Sequence, residues 1–438
     1  MMRICASLGS VDVTADDTAS ADMIEIRTDI FDAVPKNILK KGQTGIVTFK
    51  NGINRAIIPD GWIADVGYEE RPDVDNDVIT SYHDFSGTPD ADAVISIMNG
   101  MNGDIVKGAF TVNNVKDTVT LIDAACRIKK RHVILGMGEL GKITRIRQER
   151  MNNEFTFAYA GKATAPGQLS IAEMRGLGDD CVITGIIGSD IGYTRSPKMH
   201  DAAFGHADIN GRYLVFDTPL LDRIGEFITK FDIKGVNVTK PYKTDIIGHI
   251  DMCDKISDEV GAVNTVVNDN GKLKGYNTDV HGIDMALRMN SVDVKGQRAL
   301  ILGSGGAARS CAYFLSGNGC DATVTGRNID AAKKIAKDLS VKFTERTSVA
   351  VKAYDIIINC IPLNKDRNIS EYPVKIEQTD HEQVVFDMVY GRTHLTDIAE
   401  ARECIIVRGE DMLAHQGARS FELFTSKSVS FRVMRDAV

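Results

Sequence analysis

Eight short apolar runs crowded into the first ~170 residues constrain this chain more than any other feature of its sequence. They occupy residues 4–8, 23–27, 45–50, 63–66, 78–82, 104–110, 132–135 and 155–160. Several are continuously apolar, which suits strands covered on both faces, as in a parallel sheet. Helical stretches separate some of them: across 113–130, Val115, Val119, Ile122 and Cys126 recur at helical spacing. Eight strands with βα alternation predict an α/β fold that begins with a (β/α)8-type barrel. The length is short for one, because such barrels take ~250 residues. Only 12 residues separate Lys50 from Ile63, and 11 separate Val66 from Val78. Neither gap holds a helix with its loops. The expectation is a barrel lacking one or two outer helices, its bared strand faces covered by another surface.

The remaining length calls for further domains: 438 residues suit about three. With 43% hydrophobic and 26% charged residues, the chain can bury sizeable cores. A net charge of −8 argues against a general nucleic-acid binder or a membrane-surface protein. No apolar run approaches the ~20 residues of a bilayer span, and residues 1–17 hold no block long enough for a secretory signal. The eight cysteines form no CxxC pair, and the nine histidines show no paired metal spacing. Reduced, mostly buried thiols in a cytoplasmic enzyme without a metal centre are expected. A polar joint, Arg175 to Asp180, precedes a second half in which β/α alternation restarts.

In that half, an apolar strand at 298–302 runs into Gly303-Ser304-Gly305-Gly306-Ala307-Ala308. Gly303 permits a tight turn, Gly305 lets the backbone approach a pyrophosphate, and Ala308 keeps helix and strand close. Helix N-terminal N–H groups would then face the phosphates. The next strand ends in Gly326-Arg327-Asn328, where an NAD site usually carries an acid; Arg327 suits a 2′-phosphate and favours NADP. Four segments bring polar groups suited to a polyhydroxylated anion: Thr194-Arg195-Ser196-Pro197, residues 237–243, residues 261–265, and Gly275-Tyr276-Asn277-Thr278-Asp279. Lys243 and Asp279 would guide a proton to a carbonyl oxygen as hydride reaches its carbon.

Together these motifs resemble shikimate dehydrogenase across essentially all of 181–438. The resemblance places the carboxylate-binding turn at Thr194 and Ser196, with Thr194 in a usual serine slot. It places the catalytic lysine at Lys243 within Asn237-Val238-Thr239-Lys240-Pro241-Tyr242-Lys243, and the catalytic aspartate at Asp279. Thr239, Asn264, Tyr390 and Gln416 are the implied substrate contacts. Gly303, Gly305, Gly306, Ala307, Arg327, Asn328, Met388 and Gly409 are the implied NADP contacts. Asn359-Cys360-Ile361-Pro362 matches a cofactor-side stretch, with Ile361 in place of threonine. The implied layout is a substrate domain at 181–284, completed by about 416–438, and a Rossmann-like domain at 285–415.

The first half, 1–176, holds one decoy and one candidate site. Residues 136–143 nearly spell a phosphate-binding loop, but Ile143 stands where a magnesium-binding Ser or Thr belongs. Lys107, on an otherwise apolar strand, either snorkels at the strand end or is held where burial lowers its pKa and frees it to attack a ketone. His83 ends the fifth run, on the catalytic side of such barrels. The Ser81-Tyr82-His83-Asp84-Phe85 block and Asp104-Ile105-Val106-Lys107 resemble type I 3-dehydroquinate dehydratase, over about 3–175. That resemblance implies an acid/base role for His83, an imine at Lys107, and substrate contacts at Glu25, Arg27, Lys50, Arg145, Thr164 and Gln168. Three departures bear on catalytic efficiency. Lys50 replaces an arginine, Gly67 replaces the glutamate that helps orient the histidine, and an acid shortly after the third strand is lacking.

The two resemblances imply a bifunctional enzyme with small-molecule substrates: 3-dehydroquinate dehydrated to 3-dehydroshikimate, then reduced by NADPH to shikimate. Alternatives are a dehydrogenase with a weak barrel, quinate or NAD specificity, and a ligand-sensing regulator. A homodimer through the bared barrel face is a further expectation.

Overall fold

The computed structural model describes residues 2–50, 52–54, 57–70, 74–178, 180–363 and 366–438. The chain divides into two compact units, Met1–Val182 with Val215–Ile233, and Ile183–Leu214 with Lys234–Val438. Among the described residues, no helix is long and apolar enough to cross a membrane.

The first unit is built on eight strands: β1 Ile4–Leu8, β2 Met23–Arg27, β3 Thr44–Thr48, β4 Ile63–Gly67, β5 Val78–Asp84, β6 Ile105–Thr111, β7 His132–Met137 and β8 Thr156–Ala160. They follow one another in the order β7-β6-β5-β4-β3-β2-β1-β8, a nearly closed barrel. Residues just ahead of β8 reach the other edge. The Glu154 N–H donates to the His132 carbonyl at 3.0 Å, and the Asn153 amide bonds the Ile134 N–H and C=O at 2.7 and 2.9 Å. Strand alternation sorts the interior by height. Cys5, Met23, Ile46, Ile63, Ile79, Ile105 and Val133 belong to an apolar core. Two residues further along their strands, Glu25, Thr48, Asp65, Ser81 and Lys107 share the same phase and form a buried polar layer.

Helices α1 Ala91–Gly100, α2 Val115–Ala125, α3 Lys142–Ile146 and α4 Ile171–Leu177 follow the last four strands. Among the described residues the connections after β1, β2, β3 and β4 carry no α-helix, so four outer helices are missing where one or two were expected. Residues 51, 55, 56 and 71–73 of two of these connections lie outside the described residues, as does Asp179 of the expected joint. The strand faces are nonetheless covered. Ile4, Ala6, Leu8, Ile24, Ile26, Val47, Ala64 and Val66 are at most 2% exposed. Phe31, Ile38 and Trp62 in the helix-free connections are buried too. The Trp62 ring presses so closely on β3 that a Cβ on Gly45 would lie 2.1 Å from it.

Residues 215–233 complete this unit. Helix Ile224–Lys230 packs on α2, where Asp123 accepts from Arg223 at 2.7 Å and also from Lys230. The buried Arg147 guanidinium donates to the carbonyls of Cys181, Phe231 and Asp232 at 3.0–3.3 Å.

All but the ends of two strands, Val182 and residues 215–217, of two six-stranded sheets belong to the second unit. In the first the order is Gly211–Asp217, Val182–Gly188, Gly235–Val238, Thr265–Asp269, Lys272–Tyr276, Met252–Cys253. The second is wholly parallel, in the order Lys342–Phe343, Asp321–Thr325, Arg298–Leu302, Ile356–Asn359, Val384–Asp387, Ile405–Arg408. The order in which successive strands are added reverses between Arg298–Leu302 and Ile356–Asn359, the switch point at which Rossmann-type sheets bind nucleotides. Ala299 and Ile301 face one apolar cluster and Leu300 and Leu302 the other, which is why that strand reads as unbroken apolar sequence. Helices Thr278–Met289 and Gly409–Thr425 pack on one another and run across the expected limits at 284 and 415.

Candidate active sites

The polar layer of the barrel opens into a pocket of about 70 Å3, lined among others by Glu25, Arg27, Lys50, His83, Lys107, Arg145, Thr164 and Gln168. All eight sequence candidates of this half therefore meet. Lys107 requires a correction. Burial pulls its pKa down, as expected, but the Asp65 and Glu25 carboxylates outweigh burial and hold the ammonium above its ordinary value. Its Nζ donates to Asp65 Oδ2 and lies 4.8 Å from the centre of the Phe157 ring. Asp65 is fixed in turn by Ser81 and Thr48. The resting lysine is half of a buried ion pair, and its partner Asp65 was not among the sequence candidates. The available signal was strand phase: 63, 65 and 67 alternate inward exactly as 105 and 107 do.

His83 is pulled down to about 3 by burial, then by the charges of Lys107 and Lys50, so at neutral pH it is an uncharged base. It stacks on Phe85 with ring centres 6.0 Å apart. Among the described residues no hydrogen bond orients its imidazole. Beside Gly67, Glu70 of the following turn folds back, its Oε1 3.9 Å from where a residue-67 Cβ would stand. Lys50 is depressed by burial and by Lys107. Arg145 is 2% exposed, and burial lowers it to about 10. Its Nε and Nη1 have no partner among the described residues. A buried guanidinium with idle donors calls for an anion. Gln168 Oε1 accepts from Thr164 N, Thr164 Oγ1 and Ala165 N at 2.8–3.1 Å, which shapes the segment over the pocket. The phosphate-loop decoy is a packed turn: Thr144 Oγ1 accepts from Gly136 N at 2.9 Å and donates to the Gly141 carbonyl at 2.7 Å.

In the second unit a pocket of about 170 Å3 is lined by Thr194, Ser196, Thr239, Lys243, Asn264, Asp279, Tyr390 and Gln416, with Met388 and Gly409. Lys243 Nζ donates to Asp279 Oδ2 at 2.5 Å. Asn264 Nδ2 donates to the other Asp279 oxygen at 2.8 Å and to Gln416 Oε1 at 3.3 Å. The spacing of residues 243 and 279 in sequence did not establish this meeting; the antiparallel pairing of Thr265–Asp269 with Lys272–Tyr276 brings about the turn that makes it. Burial, then the Asp279 charge, holds the Tyr390 phenol above its usual range. Behind the pocket, Tyr213 donates to Asn237 at 2.7 Å, and Asn237 donates to Ser420 at 2.9 Å.

A neighbouring cavity of about 600 Å3 shares Thr239, Lys243, Ala307, Met388 and Tyr390 with this pocket and extends over Gly303–Gly306, Arg327 and Asn328. Gly303 takes φ +127°, a conformation that L side chains avoid. Nothing lies within 4 Å of a Cβ built on Gly305, whereas one on Gly306 would be 2.8 Å from the Lys243 Cβ. Gly306 is therefore where the lysine stem crosses the turn. Asn328 caps the next helix through Ala331 N at 3.0 Å, and Arg327 has no ion-pair partner among the described residues. Gly409 lies on the substrate side, and a Cβ there would meet the Met388 backbone at 2.6 Å. Tyr193, which lines both cavities, and Lys240, 5.0 Å from its ring centre, were not anticipated.

Residues 186–266 match the shikimate dehydrogenase substrate binding domain, 284–408 shikimate / quinate 5-dehydrogenase, and 409–438 the shikimate 5′-dehydrogenase C-terminal domain. The shikimate dehydrogenase (NADP(+)) of Dehalococcoides mccartyi is 33% identical over 264 residues, covering 57% of this chain and 92% of that protein. The chain belongs to the shikimate dehydrogenase family. Ahead of its dehydrogenase part, residues 66–178 match type I 3-dehydroquinase. The chloroplastic bifunctional 3-dehydroquinate dehydratase/shikimate dehydrogenase of Arabidopsis thaliana is 28% identical over 382 residues, covering 80% of this chain and 63% of that protein. A shikimate 5-dehydrogenase from Thermus thermophilus, solved with NADP(H) and shikimate, matches with a TM-score of 0.54 and 28% identity over 58% of this chain and 98% of its own.

Proposed function

We propose that the first unit dehydrates 3-dehydroquinate to 3-dehydroshikimate and that the second reduces this product with NADPH to shikimate. The observation that carries the reading is a pocket-lining lysine ion-paired to an aspartate in each unit, Lys107 with Asp65 and Lys243 with Asp279. In the barrel, Arg145 takes the substrate carboxylate with its idle donors. Lys107 gives a proton to Asp65, attacks the ketone and forms an imine with release of water. Neutral His83 removes the proton from the adjacent carbon; the electron pair passes into the imine. The protonated imidazole then returns that proton to the departing hydroxyl, which leaves as water. Hydrolysis of the imine frees product and lysine. Glu25, Arg27, Lys50, Thr164 and Gln168 hold the hydroxyls and the lid.

In the second unit, Thr194 and Ser196 bind the carboxylate, while Thr239, Asn264, Tyr390 and Gln416 take the hydroxyls. The open space before Gly305 and Arg327, which has no ion-pair partner among the described residues, fit a pyrophosphate and a 2′-phosphate. Gly303, Gly306, Ala307, Asn328 and Met388 complete that surface, while Gly409 lies on the substrate side. NADPH supplies the hydride when bound. Lys243, aligned by Asp279, donates the proton to the developing alkoxide.

We retain three functional parts, 1–176, 181–284 completed by about 416–438, and 285–415. Eight free cysteines suit the cytoplasm. A homodimer stays a proposal, and light scattering that shows a monomer at micromolar concentration overturns it. The bared face first invoked for it is filled by the chain's own residues.

Borohydride added with 3-dehydroquinate tests the barrel. The expected product is a reduced adduct on Lys107. An adduct elsewhere, or none while 3-dehydroshikimate is still reduced, leaves a dehydrogenase with an inactive barrel.

A further inference from the structure

Two thiols meet at the wall of the larger cavity. Cys360 directly follows strand Ile356–Asn359 and lines that cavity. It packs against the glycine turn, its Cβ 3.3 Å from a Cβ built on Gly303. Cys311 lies mid-helix in Gly306–Gly317 and is fully buried. The two sulfurs are 3.8 Å apart. No other pair of thiols is in contact among the described residues. Neither sulfur takes part in the proton or hydride transfer described above, so the pair is unexplained by it.

We infer that Cys360 and Cys311 form an oxidant-modified dithiol, with small hydroperoxides as the reagent, whose bridging closes the nucleotide cavity. Cys360 is the reachable thiol, because it alone of the two borders open space. Its sulfur attacks the peroxide, the O–O bond breaks, and a sulfenic acid and water (or alcohol) result. The Cys311 thiol then attacks the sulfenic sulfur; an S–S bond forms, the S–O bond breaks, and water leaves with the thiol proton. Two sulfurs lose one electron each, and the peroxide takes both. Burial, then the neighbouring Cys360, pushes the Cys311 thiol well up, which suits a slow resolving partner rather than the first target.

Bridging shortens the 3.8 Å separation to the ~2 Å of a disulfide. Cys311 is anchored in the apolar cluster between helix and sheet, so most of the movement falls on the 360–362 segment. That segment packs against Gly303 and lines the same cavity as Lys243 and Met388. A displacement of about an ångström there costs hydride geometry on the order of a hundredfold in rate.

The test treats the full chain with hydrogen peroxide and reads intact mass, nonreduced peptide maps and both activities. The proposal expects loss of two hydrogens and a peptide linking Cys311 to Cys360. It also expects shikimate oxidation to fall on the order of a hundredfold, dehydratase turnover to persist, and dithiothreitol to reverse the loss. NADP+ in the mixture slows bridging. In Cys311→Ala, peroxide adds oxygen to Cys360 without a bridge. Absence of the linked peptide, a bridge between other cysteines, or a bridge that leaves dehydrogenase turnover unchanged overturns the proposal. The mass and peptide readouts stand even where no dehydrogenase activity is found, so this site and the proposed function fail separately.

Discussion

A buried lysine takes its chemistry from the charges in its own layer. At Lys107, burial alone would favour the neutral amine, but Asp65 and Glu25 reverse the sign. Asp65→Asn removes the larger of those two upward pulls, so the Lys107 pKa falls. Because the neutral amine attacks, the acidic limb of dehydratase kcat/KM moves to lower pH; an unmoved limb contradicts the assigned role. Arg145 makes the opposite bargain between stability and function. Its Nε and Nη1, buried and without a partner among the described residues, burden the free protein and in the proposed role serve only when an anion arrives. Arg145→Met is expected to raise stability in urea by about 1–3 kcal/mol while raising KM for 3-dehydroquinate roughly ten- to a hundredfold. Lower stability with unchanged KM refutes this. Lys107 and His83 stood out as candidates in sequence because each sits in a distinctive local block. Asp65 did not, since it stands on β4, separated from the Lys107 strand by β5, in a stretch that carries no motif.

Among the elements, the strands were read well because barrel and doubly wound sheets bury both faces, and that leaves continuous apolar runs. The fifth strand extends past Tyr82 to Asp84 and the seventh past Leu135 to Met137, where polar or glycine residues hide the strand from a hydropathy reading. The absent helices were undercounted. The connections after β1 and β2 are long enough for a helix in sequence, but aromatic and apolar plugs such as Phe31 and Ile38 are buried there instead. The glycine turn shows a tighter link between element and chemistry. Gly306→Ala places a methyl 2.8 Å from Lys243 Cβ and 3.0 Å from its Cδ, so the lysine stem must shift. Shikimate oxidation should lose kcat by roughly tenfold to a hundredfold, with dehydratase turnover intact. Loss of both activities would instead indicate a folding defect.

At the scale of the molecule, the halves are less separable than a polar joint near 180 suggests. Helix Ile224–Lys230, which reads in sequence as part of the second half, belongs to the barrel unit. No hydropathy pattern reveals this, because the helix has an ordinary apolar face whichever neighbour it meets. A fragment ending at 182 removes both cations from Asp123 and two of the three carbonyl acceptors of Arg147. It should melt on the order of 5–10 °C below the barrel in the full chain, seen by calorimetry; an unchanged transition would show that the helix contributes little. The central claim, two successive reactions in one chain, is tested most directly by giving the full-length protein 3-dehydroquinate with NADPH and following cofactor absorbance. The prediction is steady oxidation of NADPH that Lys107→Ala abolishes, while the same variant still oxidises NADPH when 3-dehydroshikimate is supplied. Oxidation by the unaltered chain with 3-dehydroshikimate but never with 3-dehydroquinate would contradict it.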